Sequence, residues 1–363
     1  MSEFDFAYGD GDGDGDDDSH SDYDGAYYDD PDDGYNEPDG GYPKTAVYSG
    51  TESFRGNHEL TEVTFAQGVT TIGEDAFYGC SSLTAITIPD GVTSIAKGAF
   101  YRCSSLRAIT IPDSVTTIGE HAFQRCSSLT AITIPDSVTS IRSWALYKCS
   151  SLAAITIPDG VTYIGECAFM SCRSLTAITI PDGVTWIGDG AFQRCSSITA
   201  ITIPEGVTMI EFETFLRCSS LADITIPEGV TTIGNYAFSA CSSLAAITIP
   251  VSVTTIGYWA FYGCTALTRL SLSPTVSIGE DCFLNCTALI SAAASQNMPT
   301  VEALLHSRWH AIRERVTVLL CLKTLFTDQS NPNSNGGEAQ TLGVTAVRKR
   351  LPKVMWRVIL EFL

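Results

Sequence analysis

Basic residues are in short supply in this chain: 21 Lys and Arg stand against 41 Asp and Glu, for a formal charge of −20. Phosphate contacts need Lys and Arg gathered on one face, so nucleic acid is not an expected partner. Histidine is scarcer still: His20, His58, His121, His306 and His310 share no ligand spacing, and no Ser/His/Asp set assembles from them. The 13 cysteines include no Cys-x-x-Cys pair, which removes the usual zinc signature. A glycine-rich phosphate loop is missing. No window of 18 or more apolar residues spans a bilayer, and no charged segment followed by an apolar core opens the chain as a secretory signal. These absences set the expectations: no enzyme, no cofactor, no metal, no membrane span, and an intracellular, cytoplasmic location by default.

What the chain has in abundance is one repeat. Cysteine returns at Cys80, Cys103, Cys126, Cys149, Cys172, Cys195, Cys218, Cys241 and Cys264, each 23 residues after the last, and Cys286 follows after 22. A period of that length means a solenoid, in which a unit buries its apolar side only by stacking on its neighbours. Within Leu83 to Ser105 the apolar positions are Leu83, Ile86, Ile88, Val92, Ile95, Phe100 and Cys103, and copy after copy keeps them. Leu-x-x-Ile-x-Ile reads as a strand, since β-branched residues suit a pleated, half-buried surface. Pro89-Asp90-Gly91 sets a corner. Val92 to Ile95 reads as a second short extended piece, and Gly119 to Cys126 as a single helical or 3₁₀ turn. Stacked coils place the ten cysteines of the series about 5 Å apart with parallel side chains, which predicts a buried column of free thiols; Cys167, Cys282 and Cys321 stand outside it.

Leu-x-x-Ile-x-Ile-Pro-x-x-Val-x-x-Ile-Gly-x-x-Ala-Phe-x-x-Cys resembles the 23-residue treponemal class of leucine-rich repeat, the BspA-like family. The likeness covers about two thirds of the chain. It implies an α/β solenoid: a leucine-rich repeat horseshoe with a parallel β-sheet on the concave side and short β or 3₁₀ turns elsewhere. Members of the family are often bacterial surface or adhesion proteins, so the resemblance bears on fold more than on function.

Charge divides the chain into three. Residues 1–43 hold sixteen Asp or Glu and no Lys or Arg, the composition of a disordered acidic tail. Asp10-x-Asp12-x-Asp14-Gly15 mimics the start of a calcium loop, but Ser21 stands where such a loop closes on Glu. Residues 44–299 form the solenoid of about ten units plus caps, with Phe54 and Asn57 in a degraded first unit. Residues 300–363 are a basic helical region with a linker at 327–343. Its last segment, Leu351 to Leu363, is similar to the opening helix of an F-box; a plain amphipathic helix that caps or dimerises is the simpler reading.

Comparing copies within the chain separates scaffold from surface. The strand residues Ala85 and Thr87 and their equivalents form a flat, small, uncharged face with no nucleophile beside a base. Corner acids recur at Asp90, Asp113, Asp136, Asp159, Asp182, Glu205 and Glu228, read here as solvated turn residues. The variable set is aromatic and cationic. Tyr163, Trp186 and Met209 precede the second-strand isoleucine, while Trp144, Phe212, Tyr236 and Trp259 precede the Ala-Phe turn. Arg102, Arg125, Lys148, Arg194 and Arg217 stand just before their cysteines. Exposed aromatics with arginine are what protein interfaces favour, whereas scattered packing on the solenoid's outer face is the simpler reading. The expected function is therefore a non-enzymatic scaffold for a protein partner. Two alternatives stay open: a cell-surface adhesin of the BspA-like type, and a substrate-recognition subunit recruited to a ubiquitin ligase through the F-box-like helix. A lattice binder such as an ice-binding surface is the remote fourth.

Overall fold

Leu-x-x-Ile-x-Ile points a branched apolar side chain inward at every second position, and most copies become three-residue strands with only the middle residue buried; the copy at Ala177 keeps a single bridge to Ala154. Ala85–Thr87, Ala108–Thr110, Ala131–Thr133, Ala154–Thr156 and Ala200–Thr202 all bury isoleucine between an outward alanine and an outward threonine. The computed structural model of the protein describes residues 41–273 and 275–289. The acidic arm before residue 41, the basic C-terminal region, its linker and the F-box-like segment lie outside the described residues.

These strands make the first wall of a parallel β-solenoid. Ala85 pairs with Ala108, Ile86 with Ile109 and Thr87 with Thr110, and the same one-period register joins Ala131–Thr133 to Ala154–Thr156, Ala200–Thr202 to Asp223–Thr225, and Ala246–Thr248 to Arg269–Ser271. At the corner the Val92 N–H donates to the Pro89 carbonyl at 3.3 Å, and every later Pro-x-x-Val repeats it, as Val115 does to Pro112 at 3.0 Å. Proline ends the strand by removing a ladder donor and at the same time supplies the carbonyl that closes the turn. The second wall consists of two-residue strands in three parallel sheets: Thr71–Ile72 with Ser94–Ile95 and Thr117–Ile118; Ser140–Ile141 with Tyr163–Ile164 and Trp186–Ile187; and Met209–Ile210 with Thr232–Ile233, Thr255–Ile256 and Ser277–Ile278.

The outer turn is not a helix. Ala99, Tyr101 and Cys103 donate their N–H groups three residues back, to Ala96, Gly98 and Phe100, as a 3₁₀ turn does. Gly98, Phe100 and Arg102, between them, donate instead to Glu120, Ala122 and Gln124 of the next coil. A helix keeps its N–H groups for itself; here alternate groups bind coil to coil. That alternation demands unusual backbone. Two positions per coil, four residues apart, have left-handed φ: 58° at Arg102, 57° at His121, 61° at Arg125 and 61° at Trp144, for example.

Inside, the repeated residues form columns. Phe77, Phe100 and Phe123 stack at 5.3 and 5.5 Å, and Phe169, Phe192, Phe215, Phe238, Phe261 and Phe283 continue the column beyond Leu146. The expected thiol column is present: every described cysteine is buried and free. The Sγ of Cys103 donates to the Phe77 carbonyl at 3.1 Å, and each later column cysteine does likewise to the coil below. Burial pushes the thiols from Cys103 to Cys241 up, to about 12 at Cys172 and Cys218, so they are donors rather than nucleophiles. In the first unit Asn57 occupies the cysteine position and its Nδ2 donates to the Pro43 carbonyl at 3.0 Å, while Phe54 stacks on Phe77 at 5.7 Å.

Candidate interaction surface

The aromatic and cationic residues singled out by their variability sit on the outer turn and at the head of the second-wall strands. Residues of one column follow each other in register, because the N–H groups of Arg102, Arg125, Lys148, Ser171, Arg194 and Arg217 donate in turn to Gln124, Tyr147, Met170, Gln193, Leu216 and Ser239. A column position thus recurs once per coil, at the 5 Å scale of the ring stacks.

The aromatics gather into three groups. Trp144 stacks on His121 at 6.0 Å, meets Tyr147 edge-on at 5.0 Å, and packs with Cys167 and Met170 in a small apolar cluster of its own. Tyr163 and Trp186 stack at 4.6 Å with 14° between planes, and the Trp186 Nε1 donates to Glu211 Oε1 at 3.2 Å. Tyr236 stacks on Trp259 at 5.2 Å and meets Phe212 edge-on at 6.0 Å, with Tyr258 beside Trp259. Met209 joins none of these ring contacts; it heads its strand with 39% exposure. Trp144, Tyr163, Trp186, Phe212, Tyr236 and Trp259 are half-buried. Each ring covers its neighbour and keeps one side to solvent.

The cations are anchored on rings that the repeat comparison missed. Arg102 lies over Tyr101 at 5.6 Å, Lys148 over Tyr147 at 5.1 Å, and Arg55 over Tyr78 at 4.1 Å, while Tyr78 and Tyr101 stack at 4.7 Å. Tyr78, Tyr101, Tyr147 and Tyr262 occupy one position of the repeat, and that periodic tyrosine was the signal available in the sequence. Arg125, Arg194 and Arg217 continue the cation column. Arg102, Arg125, Lys148, Arg194 and Arg217 all have left-handed φ, between 57° and 61°; so do Trp144, Tyr236 and Trp259, between 51° and 61°. Glycine occupies the same two positions at Gly79, Gly98, Gly190 and Gly263, where it suffers no Cβ strain. Long side chains at the other coils cost about 1 kcal/mol each in backbone strain.

A carboxylate group lies between the second and third aromatic groups. The Phe212 N–H donates to Asp189 Oδ1 at 3.1 Å, and Gln193 Nε2 donates to the buried Glu213 Oε2 at 2.8 Å. Burial raises the pKa of Asp189, Glu211 and Glu213; the Gln193 hydrogen bond and the charges of Arg194 and Arg217 only partly oppose it at Glu213, and the Asp189 charge adds to it. A raised folded-state pKa means that the folded chain holds the proton more tightly than the unfolded one. The stability this contributes is complete below the ordinary glutamate range and disappears as pH rises through the folded value. Glu213→Gln keeps the shape and removes the charge. Its melting temperature is expected to match the parent near pH 4 and to exceed it by roughly 2–4 °C at pH 8, read by circular dichroism at both pH values.

Among the described residues no three His, Cys, Asp or Glu side chains stand close enough to hold a metal ion, and no helix is long and apolar enough to cross a membrane. The sequence profile of the BspA type leucine-rich repeat region matches the chain in six copies, over residues 48–172, 116–226, 145–265 and 208–308. Similar solved structures include a leucine-rich repeat protein of Bacteroides ovatus, 26% identical, with 68% of this chain and 81% of that one covered and a TM-score of 0.43. A leucine-rich cell surface protein of Faecalibacterium prausnitzii is 30% identical, covers 69% of this chain and 87% of its own, and has a TM-score of 0.41. The leucine-rich repeat protein of T. pallidum is 30% identical over 51% of this chain and 77% of its own, with a TM-score of 0.39. No curated protein sequence matches the chain.

Proposed function

The chain belongs to the BspA-type leucine-rich repeat family, and from that premise we propose that its solenoid is a non-enzymatic scaffold that binds a protein partner through the outer-turn aromatics and cations. One observation carries the reading. Arg102, Arg125, Lys148, Trp144, Tyr236 and Trp259 are held at left-handed backbone positions where glycine, used by sister coils, costs less. Strain kept in a structure that has a cheaper solution points from the outlier to a use for the side chain. Tryptophan, tyrosine and arginine are the residues that dominate interface energetics.

Affinity capture from the native extract tests it, with the full chain beside a variant in which Trp144, Tyr163, Trp186, Tyr236 and Trp259 become serine. Serine leaves the backbone strain in place, so both chains are compared at like geometry. A partner retained by the parent and lost by the variant, with unchanged circular dichroism, supports the reading; identical capture by both removes it. A surface-displayed adhesin is the second reading, the role that membership of this family implies. Protease treatment of intact source cells decides it, since a displayed chain is digested and an internal one is not.

A further inference from the structure

We propose that the partner, on the scaffold reading above, presents an acidic α-helix, whose carboxylates at i, i+3 or i+4, and i+7 engage the Arg102, Arg125 and Lys148 row. Three observations lead there. The row is contiguous: the three residues occupy one position of successive coils and are locked in register by the N–H bonds of Arg102 to Gln124, Arg125 to Tyr147 and Lys148 to Met170. Beyond it Ser171 takes the position, in the coil that carries Glu166 and below the one that carries Asp189, and the positive run is broken.

Its heads are placed rather than free-ranging. Arg102 and Lys148 lie over Tyr101 and Tyr147, both 2% exposed. A cation held on a ring keeps its charge while losing rotamer freedom, which lowers the entropy cost of a second partner.

Pitch then selects the occupant. Successive coils lie about 5 Å apart, as parallel strands do; rings stacked between them repeat at 4.7 Å from Tyr78 to Tyr101, beside the row, and at 5.3 and 5.5 Å along Phe77, Phe100 and Phe123. Side chains on one face of an α-helix advance about 3.5 residues per step, or about 5.3 Å at 1.5 Å per residue. Same-face side chains of an extended peptide advance about 6.6 Å, and fall out of register by more than an ångström per coil. The charge layout agrees. The exposed corner acids Asp90, Asp113 and Asp136 lie twelve residues before Arg102, Arg125 and Lys148 in a 23-residue coil, half a turn away. An acidic ligand is steered toward the cation row and repelled from the opposite corner.

Two stapled synthetic helices of identical composition test the proposal with the full chain, by fluorescence anisotropy. One carries glutamates at i, i+3, i+7 and i+10; the other spreads the same glutamates around the helix. The aligned helix is expected to bind at least tenfold more tightly, with affinity falling as salt rises. The triple variant Arg102→Gln, Arg125→Gln, Lys148→Gln is expected to lose that preference, and Arg125→Gln alone to weaken the aligned helix several-fold. Equal binding of the two helices, or an undiminished preference in the triple variant, overturns the proposal. If the helices fail while capture from extract still depends on the aromatics, only the acidic-helix inference falls; if capture ignores both aromatics and cations, the scaffold reading falls with it.

Discussion

Phe192→Ala lowers the stability of the solenoid by about 4 kcal/mol, the cost of deleting a fully buried phenylalanine and leaving its cavity. Phe192 has no exposed surface and is flanked by Phe169 at 5.4 Å and Phe215 at 5.7 Å, each within 2° of parallel. Its carbonyl also accepts from the Cys195 N–H and the Cys218 Sγ, so any slumping of the emptied site disturbs the thiol column too. Because each coil contacts only its neighbours, the damage falls on two interfaces of a one-dimensional array. Urea titration followed by circular dichroism is expected to show an earlier midpoint and a broadened or divided transition, as the flanking segments lose their coupling. Phe192→Leu is the control. Leu146 already stands in the phenylalanine column with 1% exposure, so leucine is expected to cost less than about 1.5 kcal/mol. An alanine variant that melts with the parent would refute the view that the ring column carries the stacking energy.

The second large effect concerns glycine without a left-handed backbone. A Cβ on Gly165 would lie 2.3 Å from the Ser143 nitrogen and 2.7 Å from the Arg142 carbonyl carbon of the coil below. Gly165→Ala therefore separates Ser140–Ile141 from Tyr163–Ile164 and strains the bond from the Gly165 N–H to the Ile141 carbonyl, now 2.8 Å. The expected loss is about 2 kcal/mol, within the usual range for overpacking. The chain contains its own controls. Arg142 and Glu211 stand at this glycine position, and the second wall is interrupted at those two coils: its three sheets end at Thr117–Ile118 and Trp186–Ile187 and resume at Ser140–Ile141 and Met209–Ile210. Ala96, with a single methyl, is tolerated at the same position, with its N–H to Ile72 bond intact at 2.9 Å. Glu211→Gly is accordingly expected to rejoin the second and third sheets and to gain about 1 kcal/mol for the restored ladder bond, set against the lost Trp186 Nε1 contact. Hydrogen exchange at the Met209–Ile210 amides reads the repair directly. No added protection in the glycine variant would mean that the interruption has another cause.

Period, core and corner were legible in the residues. Leu83, Ile86, Ile88, Val92, Ile95, Phe100 and Cys103 are all buried, and the proline turns, the thiol column and the coil register followed from one unit and its spacing. Of the two readings of Gly119 to Cys126, helical or 3₁₀, the 3₁₀ one holds for alternate N–H groups, which close onto residues three back, while the rest serve the neighbouring coil. Gly119, Gly165 and Gly188 answer a backbone requirement that is close approach of the coil below rather than positive φ. The aromatics were identified one by one, yet their grouping into three contacts was not.

What the sequence determined by itself is whatever depends on alternation within a unit and identity between units, since burial period and turn chemistry are local and a repeat makes them collective. The stacking of coils decided the rest. Left-handed φ at Arg102 or Trp144 is imposed by hydrogen bonds to a residue 22 positions on, and no local propensity encodes it: arginine and tryptophan avoid that conformation in isolation. The same non-local geometry sets which ring meets which, and turns a scattered set of arginines into a row with a pitch.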